Sequence, residues 1–188
     1  MAYYSRKELI ELGFKYLGKD VKVSKKASIY DHHLIEIDDF SRIDDFCLLS
    51  GKVRIGKYCH ITPMCLIAGG NLGVCLDDFV TLAYGVKLFS QSDDYSGLTM
   101  TNSLIPKEYK NEKFAKVVIK KHSILGANST VLPGVTINEG CAIGAMTLVT
   151  KSLDCWGIYT GVPAKRIKTR SRKVEVLEQE FLEKKSDD

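Results

Sequence analysis

The sequence has no long uninterrupted apolar run. No segment approaches the roughly eighteen consecutive apolar residues of a membrane-spanning helix. The first part of the chain mixes charged and apolar side chains, which is not the pattern of a secretory signal peptide. These absences predict a cytoplasmic protein without a membrane span.

Cysteine pairs with the spacing of a zinc ribbon are also absent. No two of the six cysteines are separated by two residues, so they predict no metal site. In a reducing cytoplasm they should be free thiols. They are Cys47, Cys59, Cys65, Cys75, Cys141 and Cys155.

The chain carries little net charge for its length. A formal charge of +4 in 188 residues is too small to predict a nucleic-acid partner. The basic excess is concentrated late in the chain and favours a small anionic ligand over a long polyanion. Its members are Lys165, Arg166, Lys168, Arg170, Arg172 and Lys173.

What the sequence does have is a six-residue repeat. Aliphatic side chains recur at seventeen positions with this spacing, interrupted by short insertions and one long one. A small or β-branched residue stands two positions before each. The aliphatic positions are Val23, Ile29, Ile37, Ile43, Leu49, Ile55, Ile61, Ile67, Leu76, Leu82, Leu88, Ile119, Leu125, Val131, Ile137, Ile143 and Val149.

A period of six predicts a triangular solenoid. A helix repeats about every 3.6 residues and an ordinary strand every two, so neither explains the pattern. Six residues suit one side of a coil, a short strand followed by a tight turn, and three sides close the coil. Seventeen such units predict an all-β parallel β-helix of five to six coils. An antiparallel sandwich fits less well, because its turns arrive irregularly, about every eight to twelve residues.

Three segments lie outside the repeat. Residues 1–20 should form a helical cap, with a helix from Ser5 to Leu17 that begins at a capping box of Ser5 and Glu8. Residues 21–169 form the β-helix domain, and residues 170–188 a C-terminal helix that packs at the far end or on a neighbour. A polar and aromatic insertion at about 89–116 has no hexads, and we expect this loop to reach a second subunit.

The hexads from Ile119 to Val149, followed by Gly-Val-Pro-Ala-Lys-Arg-Ile-Lys ending at Lys168, resemble the hexapeptide-repeat acyltransferases. The likeness covers roughly residues 21–169 and includes galactoside and maltose O-acetyltransferases and sugar acetyltransferases of surface-polysaccharide pathways. It implies a left-handed β-helix and a homotrimer. It also implies that acetyl-CoA lies in a groove between neighbouring β-helices.

The resemblance also implies which residues bind acetyl-CoA. One group matches family positions at the pantetheine arm, the adenosine end and the phosphates, for which basic side chains supply charge and donors. Tight turns and a solvated charged surface remain the alternative interpretations. The members are Ala127 and Ala145 at the pantetheine, Thr150 and Lys151 near the adenosine, and Lys165, Arg166 and Lys168 at the phosphates.

The general base is the open question. Where O-acetyl members carry a histidine at the start of their long loop, this sequence has Asp93, followed by Asp94 and Tyr95. His60 precedes an inward isoleucine, so strand alternation points it outward. It resembles a histidine of nucleotide-amino-sugar N-acetyltransferases that lies near the acetyl group. We also predict that Thr62 and Tyr95 bind substrate.

Two mechanisms stay open at this point. In one, His60 is the base, oriented by Asp93 or Asp94 from the loop of a neighbour. In the other, the acceptor is an amine, and the two aspartates hold its ammonium group or the sugar hydroxyls.

The predicted function is transfer of an acetyl group from acetyl-CoA to a sugar or nucleotide-linked amino sugar. The pathway would be cell-surface polysaccharide biosynthesis, such as lipopolysaccharide O-antigen. Two alternatives are a non-catalytic β-helix used for assembly and an enzyme like the γ-class carbonic anhydrases. The latter needs three zinc histidines, and His32, His33, His60 and His122 show no matching arrangement.

Overall fold

The computed structural model describes residues 2–186 and confirms the parallel β-helix. The helices are Arg6–Glu11 (α1) and Lys173–Ser186 (α2), with single 3-10 turns at His32–Leu34 and Lys107–Tyr109. The strands are Tyr16–Leu17 (β1), Lys22–Val23 (β2), Ser28–Ile29 (β3), Ile35–Ile37 (β4), Arg42–Ile43 (β5), Leu48–Ser50 (β6), Val53–Ile55 (β7), His60–Ile61 (β8), Leu66–Ala68 (β9), Val74–Leu76 (β10), Thr81–Leu82 (β11), Lys87–Phe89 (β12), Gln91–Ser92 (β13), Lys113–Phe114 (β14), Val117–Ile119 (β15), Ile124–Leu125 (β16), Thr130–Val131 (β17), Thr136–Ile137 (β18), Ala142–Ile143 (β19), Leu148–Val149 (β20), Gly157–Thr160 (β21) and Lys165–Thr169 (β22).

Three parallel sheets form the sides of the solenoid. Sheet A contains β1, β4, β7, β10, β15 and β18, and sheet C contains β3, β6, β9, β12, β17 and β20. Sheet B contains β2, β5, β8, β11, β16, β19 and β21, and β22 is added to its end in the antiparallel direction. Each strand pairs with the strands one coil before and after it, so the coils stack in register.

The solenoid has about seven coils, so the predicted five to six was too low. The first extra coil begins at β1, which pairs with β4 although the sequence placed Leu17 in a helix. The last one contains β21, whose inward residue is the aromatic Tyr159 (5% exposed) rather than an aliphatic side chain. Neither end of the solenoid carries the aliphatic hexad pattern, so the repeat does not predict these two coils.

Helix α1 is shorter than the sequence predicted. The capping box is confirmed: the Ser5 side chain accepts from the Glu8 N–H, and the Glu8 carboxylate accepts from the Ser5 N–H. The helix ends at Glu11 because Gly13 adopts a left-handed conformation (φ 73°), after which the chain becomes extended. The prediction of a helix to Leu17 was therefore wrong.

The interior is the column of aliphatic side chains that the repeat predicted. All the hexad positions except the half-buried Ile29 are at most 4% exposed. The thiols of the small-residue series are buried beside them, and burial raises the pKa of Cys59 to about 12 and of Cys141 to about 11. Both are protonated at neutral pH and are poor nucleophiles.

An aromatic stack runs along the corner between sheets A and B. Phe40, Tyr58 and Phe79 lie face to face at 4.9 and 5.0 Å between ring centroids. Helix α2 packs along this corner, where Phe181 meets Tyr58 edge-on and Glu178 lies 2.8 Å from the Nε2 atom of a buried histidine, His122. It therefore docks on the side of its own solenoid and not at the far end, because the stack offers it an apolar surface.

The long insertion leaves the solenoid between sheets C and A. It extends from residue 90 to 116, close to the predicted 89–116, because Phe89 still belongs to β12, and its base is a short antiparallel ladder of β13 and β14. Three apolar side chains of the loop are almost fully exposed in the single chain: Tyr95 (92%), Leu98 (87%) and Leu104 (89%). Exposed apolar groups of this kind favour contact with another surface.

Candidate functional site

Small residues line the corner between sheets B and C, which we call the alanine corner. Successive coils turn there at Ala83–Tyr84, Ala127–Asn128 and Ala145–Met146. The coils stack tightly: the Met146 N–H donates to the Ala127 carbonyl at 2.8 Å. A Cβ atom on Gly126 would lie 2.5 Å from the backbone nitrogen of Ala145, so glycine is required there. The corner therefore forms a strip in which alanines alternate with larger exposed side chains such as Tyr84 (60%) and Met146 (66%), and its role as the pantetheine site stays a prediction.

Basic side chains follow at one end of this strip. The last turn of the corner leads through Val162 and Pro163 into β22, all of whose residues are exposed. Lys165, Arg166 and Lys168 lie on this strand, and within residues 2–186 none of them forms an ion pair. They are free to bind an anionic ligand. Thr150 and Lys151 are also exposed, directly after β20.

His60 points outward from sheet B, as predicted. Its side chain is 40% exposed, whereas the neighbouring Ile61 is fully buried. The His60 Nε2 atom lies 2.9 Å from an Oδ2 atom of Asp44, whose side chain is only 2% exposed. The sequence did not predict this partner, and the expected contact with Asp93 or Asp94 from the loop of a neighbouring copy stays a prediction.

Asp44 is held by donors from three parts of the chain. It accepts from the Nε atom of Arg42 at 2.6 Å and from the Tyr3 hydroxyl at 3.1 Å, in addition to His60. Burial raises the pKa of Asp44, but the hydrogen bonds from Arg42, His60 and Tyr3 outweigh it, so the pKa lies below its usual value. Asp44 is therefore an ionised carboxylate at neutral pH.

The two loop aspartates have different surroundings. Asp94 accepts hydrogen bonds from the backbone and hydroxyl of Ser96 and from the Thr99 hydroxyl, at 2.8–2.9 Å, and these bonds lower its pKa. Among the described residues, Asp93 has only a 3.4 Å contact between its side-chain Oδ1 atom and the N–H of Asn102. Asp94 thus organises the loop, and Asp93 has acceptor capacity left for a ligand.

Of the two predicted substrate-binding residues, one is buried and the other is exposed. Thr62 is 8% exposed, and its hydroxyl donates to the carbonyl of Leu82 at 2.9 Å. Tyr95 is 92% exposed on the loop. Both stay predictions, and the burial of Thr62 weighs against its contact with substrate.

A cleft of about 460 Å³ opens between α2 and sheet B. Phe79, Ile124 and Leu177 are among its lining residues, and so is Thr81, which pairs with His60 on the adjacent strand. Across residues 2–186 the structure contains no cluster of three or more His, Cys, Asp or Glu side chains suited to a metal ion. None of the helices in that range is long and apolar enough to cross a membrane.

Comparison with known proteins places this geometry among acyltransferases. Residues 116–151 match the family model of bacterial transferase hexapeptide (six repeats). Over 184 residues the chain is 40% identical to the dTDP-4-amino-4,6-dideoxy-D-glucose acyltransferase of Escherichia coli, covering 96% of this chain and 95% of that protein.

Solved structures agree with the sequence comparison. AntD, an N-acyltransferase from Bacillus cereus in complex with dTDP and 3-hydroxybutyryl-CoA, superposes with a TM-score of 0.97 at 47% identity, over 99% of this chain and 100% of AntD. A variant of AntD in which a serine is replaced by alanine was crystallised with dTDP-4-amino-4,6-dideoxyglucose and coenzyme A. It superposes with a TM-score of 0.96 at 48% identity, over 97% of this chain and 98% of that chain. A maltose O-acetyltransferase from Clostridium difficile 630 shares the fold only, at 19% identity and a TM-score of 0.56 over 89% of this chain and 75% of that chain.

Proposed function

Because the chain belongs to the hexapeptide-repeat acyltransferases, we propose that it transfers the acetyl group of acetyl-CoA to the amine of a nucleotide-linked amino sugar of the dTDP-4-amino-4,6-dideoxyglucose type. The observation that carries the proposal is the full-length likeness to two acyltransferases, one named for this amino sugar and one crystallised with it. An amine acceptor also explains why the loop carries aspartates where O-acetyl members have histidine. The pathway would be cytoplasmic and would supply a cell-surface polysaccharide.

The donor lies along the alanine corner. Its phosphates bind the basic side chains of β22, and the pantetheine arm runs past Ala145 and Ala127 to Ala83. Coils are spaced about 4.8 Å apart, so the three steps from Val162 to Ala83 span roughly 14 Å. That is about the reach of four extended residues, comparable to a pantetheine arm. The thioester therefore comes close to the coil of His60.

The acceptor site is shared by two copies. The loop leaves the solenoid between sheets C and A, a full side away from the alanine corner of the same chain. We propose a homotrimer in which the loop of one copy carries Asp93 to the alanine corner of its neighbour. The apolar loop residues Leu98 and Leu104 support this, as do the exposed Met64 (63%) and Met146 (66%) at that corner.

The chemistry follows from these positions. The Asp93 carboxylate binds the acceptor ammonium group, and His60 removes one proton so that the nitrogen can attack the thioester carbonyl carbon. The carbon–sulfur bond of the tetrahedral intermediate then breaks. The leaving thiolate takes up the proton from His60 to give coenzyme A, and the second ammonium proton passes to solvent as the amide forms.

Alanine at Lys165 and Lys168 together should weaken donor binding without slowing the chemical step. Each solvent-exposed contact between a lysine and a phosphate contributes roughly 0.7 kcal/mol, so we expect the loss of two to raise the KM for acetyl-CoA about tenfold. Steady-state kinetics with varied acetyl-CoA measure this. A fall in kcat at unchanged KM would contradict the assignment, and Lys113→Ala in the loop stem is the matched control.

Thiol release with a panel of acceptors tests the function itself. The panel contains dTDP-4-amino-4,6-dideoxyglucose, the matching sugar nucleotide with a 4-hydroxyl group, and free amino sugars, each with acetyl-CoA. We expect release with the first and stabilisation of the folded protein by acetyl-CoA alone. Absence of both release and stabilisation would reject the acyltransferase proposal. Faster release with the hydroxyl compound would reject the amine acceptor.

A further inference from the structure

The buried carboxylate of Asp44 has a role that the donor and acceptor assignments leave open. We infer that Asp44 is a positioning residue for acyl transfer, which acts by fixing the orientation and tautomer of His60. The inference rests on the proposed function, in which His60 removes the acceptor proton.

Residues other than His60 also hold the Asp44 carboxylate in place. Its Oδ1 atom accepts from Arg42 Nε at 2.6 Å and from the Tyr3 hydroxyl at 3.1 Å, while Arg42 Nη2 lies 3.2 Å from Oδ2. These donors come from the N-terminal segment and from β5, so two separate elements hold the group. A carboxylate fixed on both oxygens and 2% exposed has little freedom to turn.

The contact defines the state of the imidazole ring. An ionised carboxylate can only accept, so the His60 Nε2 atom carries the hydrogen and Nδ1 carries the free lone pair. Within the part of the chain that the structure describes, Nδ1 has no hydrogen bond, and the side chain is 40% exposed. An oriented ring with an open, basic nitrogen is what proton removal from an acceptor requires.

The His60 ring lies on the coil next to that of Ala83. His60 occupies an outward row of sheet B between Arg42 and Thr81. Its own coil turns at Met64 on the alanine corner, directly below the coil of Ala83, where the thioester ends. Met64 stands four residues after His60, so Asp44 orients a base on the sheet that leads into the alanine corner.

A double-mutant cycle of His60→Ala and Asp44→Asn separates positioning from a merely structural role. We expect each single substitution to lower kcat at least about tenfold with little change in the KM for acetyl-CoA. In the double variant, Asp44→Asn should cause no further loss, because it acts only through His60. Asp45→Asn is the matched control, since Asp45 contacts Ser24 and Lys26 instead of His60, and should keep wild-type kcat.

Multiplying losses in the double variant would overturn the inference, and so would an unchanged kcat in Asp44→Asn. Thermal unfolding of every variant checks that it is folded. If Asp44→Asn does not fold, the cycle is run with Asp44→Glu, which keeps the charge but displaces both oxygens. A wild-type protein without any amino-sugar acylation would instead contradict the proposed function, so the two failures are distinguishable.

Discussion

Asp93→Asn is expected to lower kcat/KM for the amino-sugar acceptor about a hundredfold. The substitution preserves the shape of the side chain but removes the charge that we propose binds the ammonium group. Losing one member of a close charge pair costs roughly 2–5 kcal/mol, and about 2.7 kcal/mol corresponds to a hundredfold. The effect should be large because, within residues 2–186, Asp93 has only a 3.4 Å contact with the Asn102 N–H, which leaves its charge available for the proposed ligand.

Asp94→Asn provides the informative comparison. Asparagine still offers a carbonyl oxygen to the Ser96 N–H, so the loop should keep most of its structure and activity should fall less. Glu112→Gln is a second control in the same loop, where Glu112 pairs with Lys110. Steady-state kinetics with varied acceptor measure all three variants. A greater loss in Asp94→Asn than in Asp93→Asn would transfer the ammonium-binding role to Asp94.

Of the single substitutions discussed, Leu82→Ala is expected to lower the free energy of unfolding most. Leu82 is fully buried in the middle of sheet B, between the inward Ile61 and Leu125 of the adjacent coils. Removing a buried leucine side chain costs about 2–5 kcal/mol, because the transfer energy is lost and a cavity remains. Chemical denaturation at fixed protein concentration measures the free energy of unfolding.

The same substitution at Leu72 is the control. Leu72 is 49% exposed in the turn after β9, so we expect Leu72→Ala to change the free energy of unfolding by less than about 1 kcal/mol. Equal losses at Leu72 and Leu82 would contradict the assignment of the axial column as the main source of stability. Stacked coils share this column, so the loss at Leu82 should appear in one cooperative transition.

The repeat could be predicted because each hexad is a local unit. Its aliphatic residue is buried wherever the unit occurs, and six residues suffice to specify a strand and a turn. The ends were harder to predict, because β1 and β21 join the solenoid through pairing with their neighbours. Leu17 fits a helical pattern as well as a strand, and only its pairing with Ile37 decides between them.

The site was predicted less completely than the fold. The alanine corner and the basic strand belong to one contiguous motif, so the sequence alone sufficed to predict a coenzyme A site there. The partner of His60 lies sixteen residues away, in the preceding coil, and no local motif joins the two. The hexad register alone contained the signal, because it sets Arg42 opposite His60 with Asp44 two residues further on.

The amino-acid sequence by itself determined a β-helix with an aliphatic axis, buried thiols and a coenzyme A motif, because burial and backbone period act over only six residues. The tertiary structure decided that Asp44 holds His60, that Asp94 is engaged within its loop, and that α2 docks on the aromatic corner. These outcomes depend on which coils become neighbours. Insertions of different length change the number of residues per coil, so hydrogen-bond partners are chosen by the stacked structure and not by spacing along the chain.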